Sequence, residues 1–368
     1  MGTPLERWSD RYYRDRHYLE KKVRRRFPMI PPAWLDARHL RRMRLRHVVT
    51  VDQPMVLVSQ ANRSGGSLLA QLFSGHPDCH VHPGEIHFGH PRKVDWPDLD
   101  PSLGPKVWFR QLSEYRTPQY ARFGFSKIGR DRSQYDDAEI VFPFLFLRRL
   151  QRQIFCQVLA PLSSPSNRQI VDAYFTSYFN AWLDYQDLYA PKRYVVGFTP
   201  RMSSEPKSVE HFFRDYPEGR LISVIREPKS WFVSLRGRKP LIRVDPRPWM
   251  ERWQRSAEAA LRNHALHAPR VHVLRFEHLV GDTEGTMRGI ADFLGLPFHE
   301  VLTRPTFQGR DILANTSFVQ KQAGIIDAPL QRARTLSAED TACIEEMTSA
   351  IMNRVEKEIP PAVRPPSA

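Results

Sequence analysis

Four short apolar runs, at 55–58, 193–198, 220–225 and 271–276, are separated along this chain by stretches whose apolar residues recur at helical spacing. Each run is too short for a buried helix and is bounded by turn-forming residues, so each reads as a strand. Strands that alternate with helices cannot pair through hairpins. They line up in parallel, and the helices cover the faces of the sheet. The helices carry their own punctuation. Pro228 opens one at a favoured first-turn position. Asp282 caps another, in which Met287, Ile290, Ala291 and Leu294 recur at i, i+3, i+4 and i+7 until Gly295 and Pro297 end it. A last helix is expected from Ser337 to about Lys357, ahead of a Pro-rich tail at 360–368.

With 368 residues, 41% hydrophobic and 26% charged, the chain can fill a substantial core, and it is expected to form one large α/β domain with helical elaborations. The expected division is an N-terminal arm at 1–50, a core at 51–320, and a C-terminal helical segment with tail at 321–368. The longest nearly unbroken apolar run, 141–147, spans seven residues, against the roughly 20 that cross a bilayer. No membrane span is expected. Arg7, Arg11, Arg14 and Arg16 occupy the place of an apolar export signal, and Cys79, Cys156 and Cys343 are too few and too scattered for a disulfide framework or a four-cysteine zinc site. A cytoplasmic setting follows as the expectation. The formal charge of +15 is concentrated at one end, because residues 1–47 hold 14 Lys and Arg against 5 Asp and Glu. Such an arm suits the anionic inner face of a membrane, an acidic polymer or nucleic acid. A solvated surface helix with no partner accounts for the same charges.

The first run, Met55–Val58, is followed by Ser59, Gln60, Ala61, Asn62, Arg63, Ser64, Gly65, Gly66, Ser67 and Leu68, and then by a helix with Leu68, Leu69, Leu72 and Phe73 on one side. A strand, a glycine turn and a helix in that order offer main-chain N–H groups to a phosphate-like anion. The sequence does not match the nucleoside-triphosphate loop, because Gln60 stands at the first required glycine and Gly66 at the required lysine. An ordinary strand-to-helix connection would carry the same glycines. A second segment, 221–235, places Arg226 at a strand end and Ser234 eight residues later, in the following helix.

Together these two segments resemble the sulfotransferases that use 3′-phosphoadenosine 5′-phosphosulfate, in their bacterial, Golgi-like and tyrosylprotein-like branch. The family's 5′ motif looks like Pro-Arg/Lys-Ser-Gly-Thr-Thr-Leu, and its 3′ motif is Arg-Asp-Pro with a serine eight residues after the arginine. Segment 274–283 running into 293–298 is similar to the family's strand and helix ending in Phe-Leu-Gly, and 314–318 is similar to its Asn-Ser-Ser-Phe element. The departures are Asn62 for Pro, Gly66 and Ser67 for Thr-Thr, Glu227 for Asp, and Phe198 where many relatives carry the lysine of Lys-Thr-Pro. The resemblance implies a P-loop-type central parallel sheet. It implies that Ser64, Gly65, Gly66, Ser67 and Leu68 hold the 5′-phosphosulfate, that Arg226 and Ser234 take the 3′-phosphate, and that Arg63 faces the bridging oxygen of the leaving group. It also implies that no metal is needed.

An alcohol needs a base to give up its proton near neutral pH. The stretch 76–105, read as mostly loop, contains Gly84-Glu85 at about the place where relatives carry a catalytic Glu in a Gly-Glu context. Glu85 is the first candidate, with His82 and His87 next. Histidines 76, 80, 82, 87 and 90 also invite a metal reading. The stretch 140–162 is read as core, with an apolar wall for a lipid-linked or aromatic acceptor as the alternative. The acceptor implied by the resemblance is a hydroxyl or amine compound, with a carbohydrate or glycolipid preferred. The competing functions are a P-loop kinase, which the missing loop lysine disfavours, and a basic nucleic-acid-binding protein, which rests on the arm alone.

Overall fold

The structure is a computed structural model that describes residues 32–86, 88, 95–113, 116–125, 142–185, 187–237, 244–312, 325 and 332–360. Five strands form one parallel sheet: β1 (Met55–Val58), β2 (Cys79–Glu85), β3 (Tyr194–Phe198), β4 (Arg220–Ile225) and β5 (Val271–Arg275), in the order β2-β3-β1-β4-β5. Strand β1 lies at the centre, with Met55 opposite Val195 on one side and Val56 opposite Arg220 on the other. All four of its side chains are buried, as a strand covered on both faces requires.

Alternation along the strands divides the core. Met55, Leu57, Val195, Leu221 and Val271 face one layer, with Ile154, Phe155, Tyr178, Phe212 and Trp253. That layer contains α5 (Arg148–Leu159), α6 (Asn167–Ala181), α7 (Pro206–Asp215), α8 (Pro228–Arg236), α9 (Arg247–His267) and α12 (Ala338–Glu358). Val56, Val58, Val196, Ile222 and Val224 face the other layer, which is built on α2 (Gly66–Leu72), α10 (Phe276–Gly281) and α11 (Thr283–Leu294). The helix leaving β1 and the helix leaving β4 therefore lie on opposite faces of the sheet. Where neighbouring strands send their chains to opposite faces, a crevice opens at their carboxyl ends, and ligands of open α/β sheets bind there.

The capping residues behave as the sequence indicates. The Asp282 side chain accepts from Gly285 N, Gly295 ends α11 at φ 63°, Ser337 caps α12, and Pro228 stands at the start of α8. Ser166 adds a full capping box with Gln169 on α6. The apolar stretch after 140 packs into the core, with Phe144, Phe146, Leu150, Ile154 and Phe155 all buried.

The expectation of a mostly looped 76–105 is corrected by β2, the edge strand at Cys79–Glu85. The run alternates between histidine and apolar residues and contains Pro83, which obscures its strand character. An edge strand tolerates proline because one side of its ladder is open, and the register to β3 shifts between Val81 and Glu85. Further on, α3 (Pro105–Leu112) and α4 (Thr117–Phe123) complete that side of the molecule. A short hairpin of β6 (Thr306–Phe307) and β7 (Arg310–Asp311) closes against the end of α2, where Thr306 Oγ1 donates to Ser74 O.

The C-terminal part of the basic arm is the helix α1 (Pro32–Arg46), which is docked on α5. Arg41 donates to Gln153 Oε1 at 2.6 Å, Gln157 donates to Leu45 O at 3.1 Å, and the buried Arg44 donates to Leu183 O at 3.2 Å. Val49 and Val51 are tied to α6 through Asn180 and Thr176. Among the described residues, no helix is long and apolar enough to cross a membrane.

Candidate active site

The loop leaving β1 is anchored residue by residue. Ser59 N donates to Ile222 O at 3.0 Å, and the Ser59 carbonyl accepts from the hydroxyls of Ser203 and Ser223 at 2.9 and 2.7 Å. Gln60 O accepts from Arg201 N at 2.9 Å, Ala61 N donates to Ser256 Oγ at 2.9 Å, and Asn62 O accepts from Trp231 Nε1 at 2.7 Å. Arg63 O then accepts from Arg226 Nη1 at 3.1 Å. These bonds hold Arg63 at φ 74° and Gly65 at φ 100°. The left-handed backbone at Arg63 costs a non-glycine residue about 1–3 kcal/mol, and such strain persists only where its surroundings enforce it.

The glycines are required by contact as well as by φ. A Cβ on Gly65 would lie 2.5 Å from Phe276 Cδ2; one on Gly66 would lie 1.8 Å from Gln60 Nε2 and 2.5 Å from Phe198 Cε2. Two departures from the family pattern are thus one local arrangement: the Phe198 ring and the Gln60 amide occupy the space that a side chain at 66 would take. Gln60 is 2% exposed, and among the described residues neither of its amide atoms has a hydrogen-bond partner. A buried amide left in this way is costly unless something pairs with it. A glycine cradle beside an unsatisfied amide fits an oxygen-rich ligand.

Arg226 stands at the carboxyl end of β4, 4% exposed, with Nε donating to Ser230 Oγ at 3.0 Å and its guanidinium 4.5 Å from the Phe276 ring centroid. Its own carbonyl accepts from Trp253 Nε1 at 2.8 Å. Ser230 lies near the start of α8, and Ser234 is buried a turn further along the same helix. Glu227 caps α8, its carboxylate accepting from Lys229 N and Ser230 N at 3.0 and 2.6 Å. Glu277, at the start of α10, accepts from Glu227 N at 3.0 Å, and burial pushes its carboxyl up.

Glu85 ends β2 directly across from Phe198, with 18% of its side chain exposed, and Arg116 Nη2 stands 3.8 Å from its Oε2. Ser67, at the start of α2, and Glu85 line the same open cleft, whose apolar side is formed by Tyr120, Phe125, Phe198 and Phe307. Phe125 and Phe307 stack at 4.1 Å. His82 also borders the cleft but is buried, with Nδ1 2.9 Å from Gly84 O and its ring 4.6 Å from Tyr178. His80 is turned away, its Nδ1 3.0 Å from the Tyr185 hydroxyl, and burial followed by the Lys192 charge drops it to about 3. His76 lies with Nε2 3.2 Å from Pro297 O. His87, His90 and the 314–318 element lie outside the described residues.

The carboxyl edge of the sheet therefore collects the loop residues 63–68, Arg226 and Glu85 from three strands. Gln60, Ser230, Arg116 and the two tryptophans were not singled out as site residues by the sequence. Gln60 sits inside the loop motif, and its partner Phe198 was already marked as a departure; Arg116 carries no signal at all, because α4 brings it back to β2 only in the fold.

An α/β protein with an anion-suited glycine loop at the switch point of a parallel sheet is the class that fold and site define. Residues 54–300 match the sulfotransferase family, and the chain belongs to it. No curated protein matches the sequence. Among solved structures, the chain is similar to the sulfotransferase domain from the curacin biosynthetic pathway (19% identity, 81% of this chain and 98% of that one, TM-score 0.48). It is also similar to the sulfotransferase domain of the Synechococcus PCC 7002 olefin synthase (17%, 82% and 96%, 0.46) and to a sulfotransferase from Alicyclobacillus acidocaldarius (16%, 82% and 99%, 0.37).

Proposed function

We propose that the protein transfers a sulfuryl group from 3′-phosphoadenosine 5′-phosphosulfate to a hydroxyl or amine acceptor, a carbohydrate or glycolipid being the preferred class. The observation that carries this reading is that Ser67, at the start of the helix after the glycine loop, and Glu85 line one cleft. A donor held by the loop would present its sulfur where a carboxylate waits for the acceptor proton.

In this reading the main-chain donors of Gly65, Gly66 and Leu68, with the hydroxyls of Ser64 and Ser67, fix the 5′-phosphosulfate. Arg226 and Ser234 receive the 3′-phosphate. Arg63 stabilises the negative charge that collects on adenosine 3′,5′-bisphosphate as the bridging S–O bond breaks. Glu85 accepts the proton as the acceptor oxygen bonds to sulfur, and His82 and His87 are the alternatives for that role. Little covalent chemistry falls to the protein, so positioning and fixed positive charge supply most of the acceleration, as in phosphoryl transfer. The protein works in the cytoplasm, with the basic arm resting on an anionic membrane face.

The test is a transfer assay with sulfur-labelled donor on extracts of cells lacking the protein. Label appearing in an extract component only when the protein is added supports the reading. Label that never leaves the donor in any extract, or transfer from ATP of labelled phosphate instead, contradicts it.

A further inference from the structure

Three consecutive loop residues are each held from the same side. Gln60 O accepts from Arg201 N at 2.9 Å, Ala61 N donates to Ser256 Oγ at 2.9 Å, and Asn62 Oδ1 accepts from Arg252 Nη2 at 3.3 Å. Arg201 follows β3, the strand between β1 and the Glu85 strand. Arg252 and Arg255 are one turn apart on α9, with Ser256 beside them fixing the helix to the loop. We propose that Arg201, Arg252 and Arg255 form a third oxyanion seat beside the glycine loop, for a carboxylate, phosphate or sulfate group carried by the acceptor. This rests on the transfer reading above and adds an acidic acceptor to it.

Several observations point this way. Arg201 occupies a left-handed turn at φ 72°, where glycine would sit without strain, yet the position carries a guanidinium. Arg252 is half-buried at the loop, and Arg255 is exposed to arriving ligands. Burial, then the charges of Arg201 and Arg255, disfavour the charged form of Arg252. A bound anion offsets the burial and charge penalties on Arg252, because charge-assisted bonds from guanidinium groups to an oxyanion are strong and often paired. The donor's two anionic ends are already matched in the proposed reading, at residues 64–68 and at Arg226 with Ser234. The main chain of Arg201 meets Gln60 at the end of β3, while α9 packs on β4 and β5, so the three arginines flank the loop between the two strands. With both donor ends matched in that reading, a third bound anion would belong to the acceptor.

The experiment titrates inorganic sulfate calorimetrically into the full-length protein saturated with adenosine 3′,5′-bisphosphate at low ionic strength. Wild type is expected to bind sulfate, and the Arg252→Gln/Arg255→Gln double variant to bind it about tenfold or more weakly, as the loss of charged hydrogen bonds implies. Bisphosphate affinity should stay within about twofold, and Arg252→Lys/Arg255→Lys should recover much of the sulfate binding by restoring the charge. Thermal melts of each variant show that the comparison is between folded proteins. Sulfate that binds the Gln variant as well as wild type, or that never binds the saturated wild type, overturns the seat. So does a bisphosphate affinity that falls in step with sulfate, since the three arginines would then belong to the donor. Wild type that fails to bind bisphosphate refutes the donor reading alone, because sulfate titrated into the ligand-free protein and the same variants still decides the seat.

Discussion

Gly66 and Phe198 show how single residues at this site depend on each other. The space above Gly66 is filled by the Phe198 ring and the Gln60 amide, so a larger residue at 66 needs a smaller one at 198. Gly66→Ala is expected to destabilise the protein less in a Phe198→Ala background than alone. In a denaturant double-mutant cycle, residues in contact couple by about 0.5–3 kcal/mol, and a coupling of zero would refute the packing described. Glu85 makes a separate claim. Glu85→Gln should leave bisphosphate binding near normal and lower turnover by about 10² to 10⁴, the usual range for a lost general base. Turnover near wild type would pass the role to His82 or His87, to be tested as His82→Asn and His87→Asn. His80 gives a pH signature. Its folded value of about 3 lies below the ordinary histidine value, because burial first and the Lys192 charge second disfavour the imidazolium. Between those values the unfolded chain binds the proton and the folded one does not, so this contribution is present above pH 6.5 and is lost as pH falls towards 3. Replacing His80 with Gln should flatten the acid side of the stability profile; an unchanged slope would show that His80 is not the group responsible.

At the scale of elements, local signals fixed caps and central strands and failed where tertiary contact decides. Pro228, Asp282, Gly295 and Ser337 mark helix ends through their own backbone chemistry and stand where they were expected. The loop at 59–68 was legible as the connection between a strand and a helix, although its glycines alone also suit an ordinary turn. Strand β2 was not, because its histidines and Pro83 hide the alternation, and only pairing with β3 makes it a strand. Arg116 and Ser256 were invisible for the same reason: each acts on a residue that is distant in sequence. The capping box at Ser166 predicts that Ser166→Ala costs about 1 kcal/mol, measurable by urea unfolding; a loss near zero would mean that solvent replaces the cap without cost. The arm offers a sharper test. Because α1 docks through Arg41, Arg44 and Leu45, deletion of 1–47 should lower the melting temperature more than deletion of 1–31. If the arm serves an anionic membrane, the shorter deletion should also weaken binding to anionic vesicles, with a difference that fades as salt rises. Equal melting temperatures for both truncations would show that the docking contributes nothing to stability.

The whole molecule places its chemistry where its topology reverses. Chains leaving β1 and β4 go to opposite faces of the sheet, and the crevice between them receives the glycine loop from one side and Arg226 from the other. Glu85 arrives from the far edge by way of β3. The described part of the basic arm, α1, docks on α5, so salt is expected to affect association with surfaces far more than nucleotide binding in the crevice. What the crevice recognises is the most direct measure of its function. Calorimetry with adenosine 3′,5′-bisphosphate, adenosine 5′-phosphate and ATP on wild type and on Arg226→Ala and Ser234→Ala decides it. The account predicts that wild type prefers the bisphosphate to both other nucleotides. It predicts that each variant loses that preference while its affinity for adenosine 5′-phosphate hardly changes. Tighter binding of ATP by wild type, or equal losses for bisphosphate and 5′-phosphate in the variants, would contradict it.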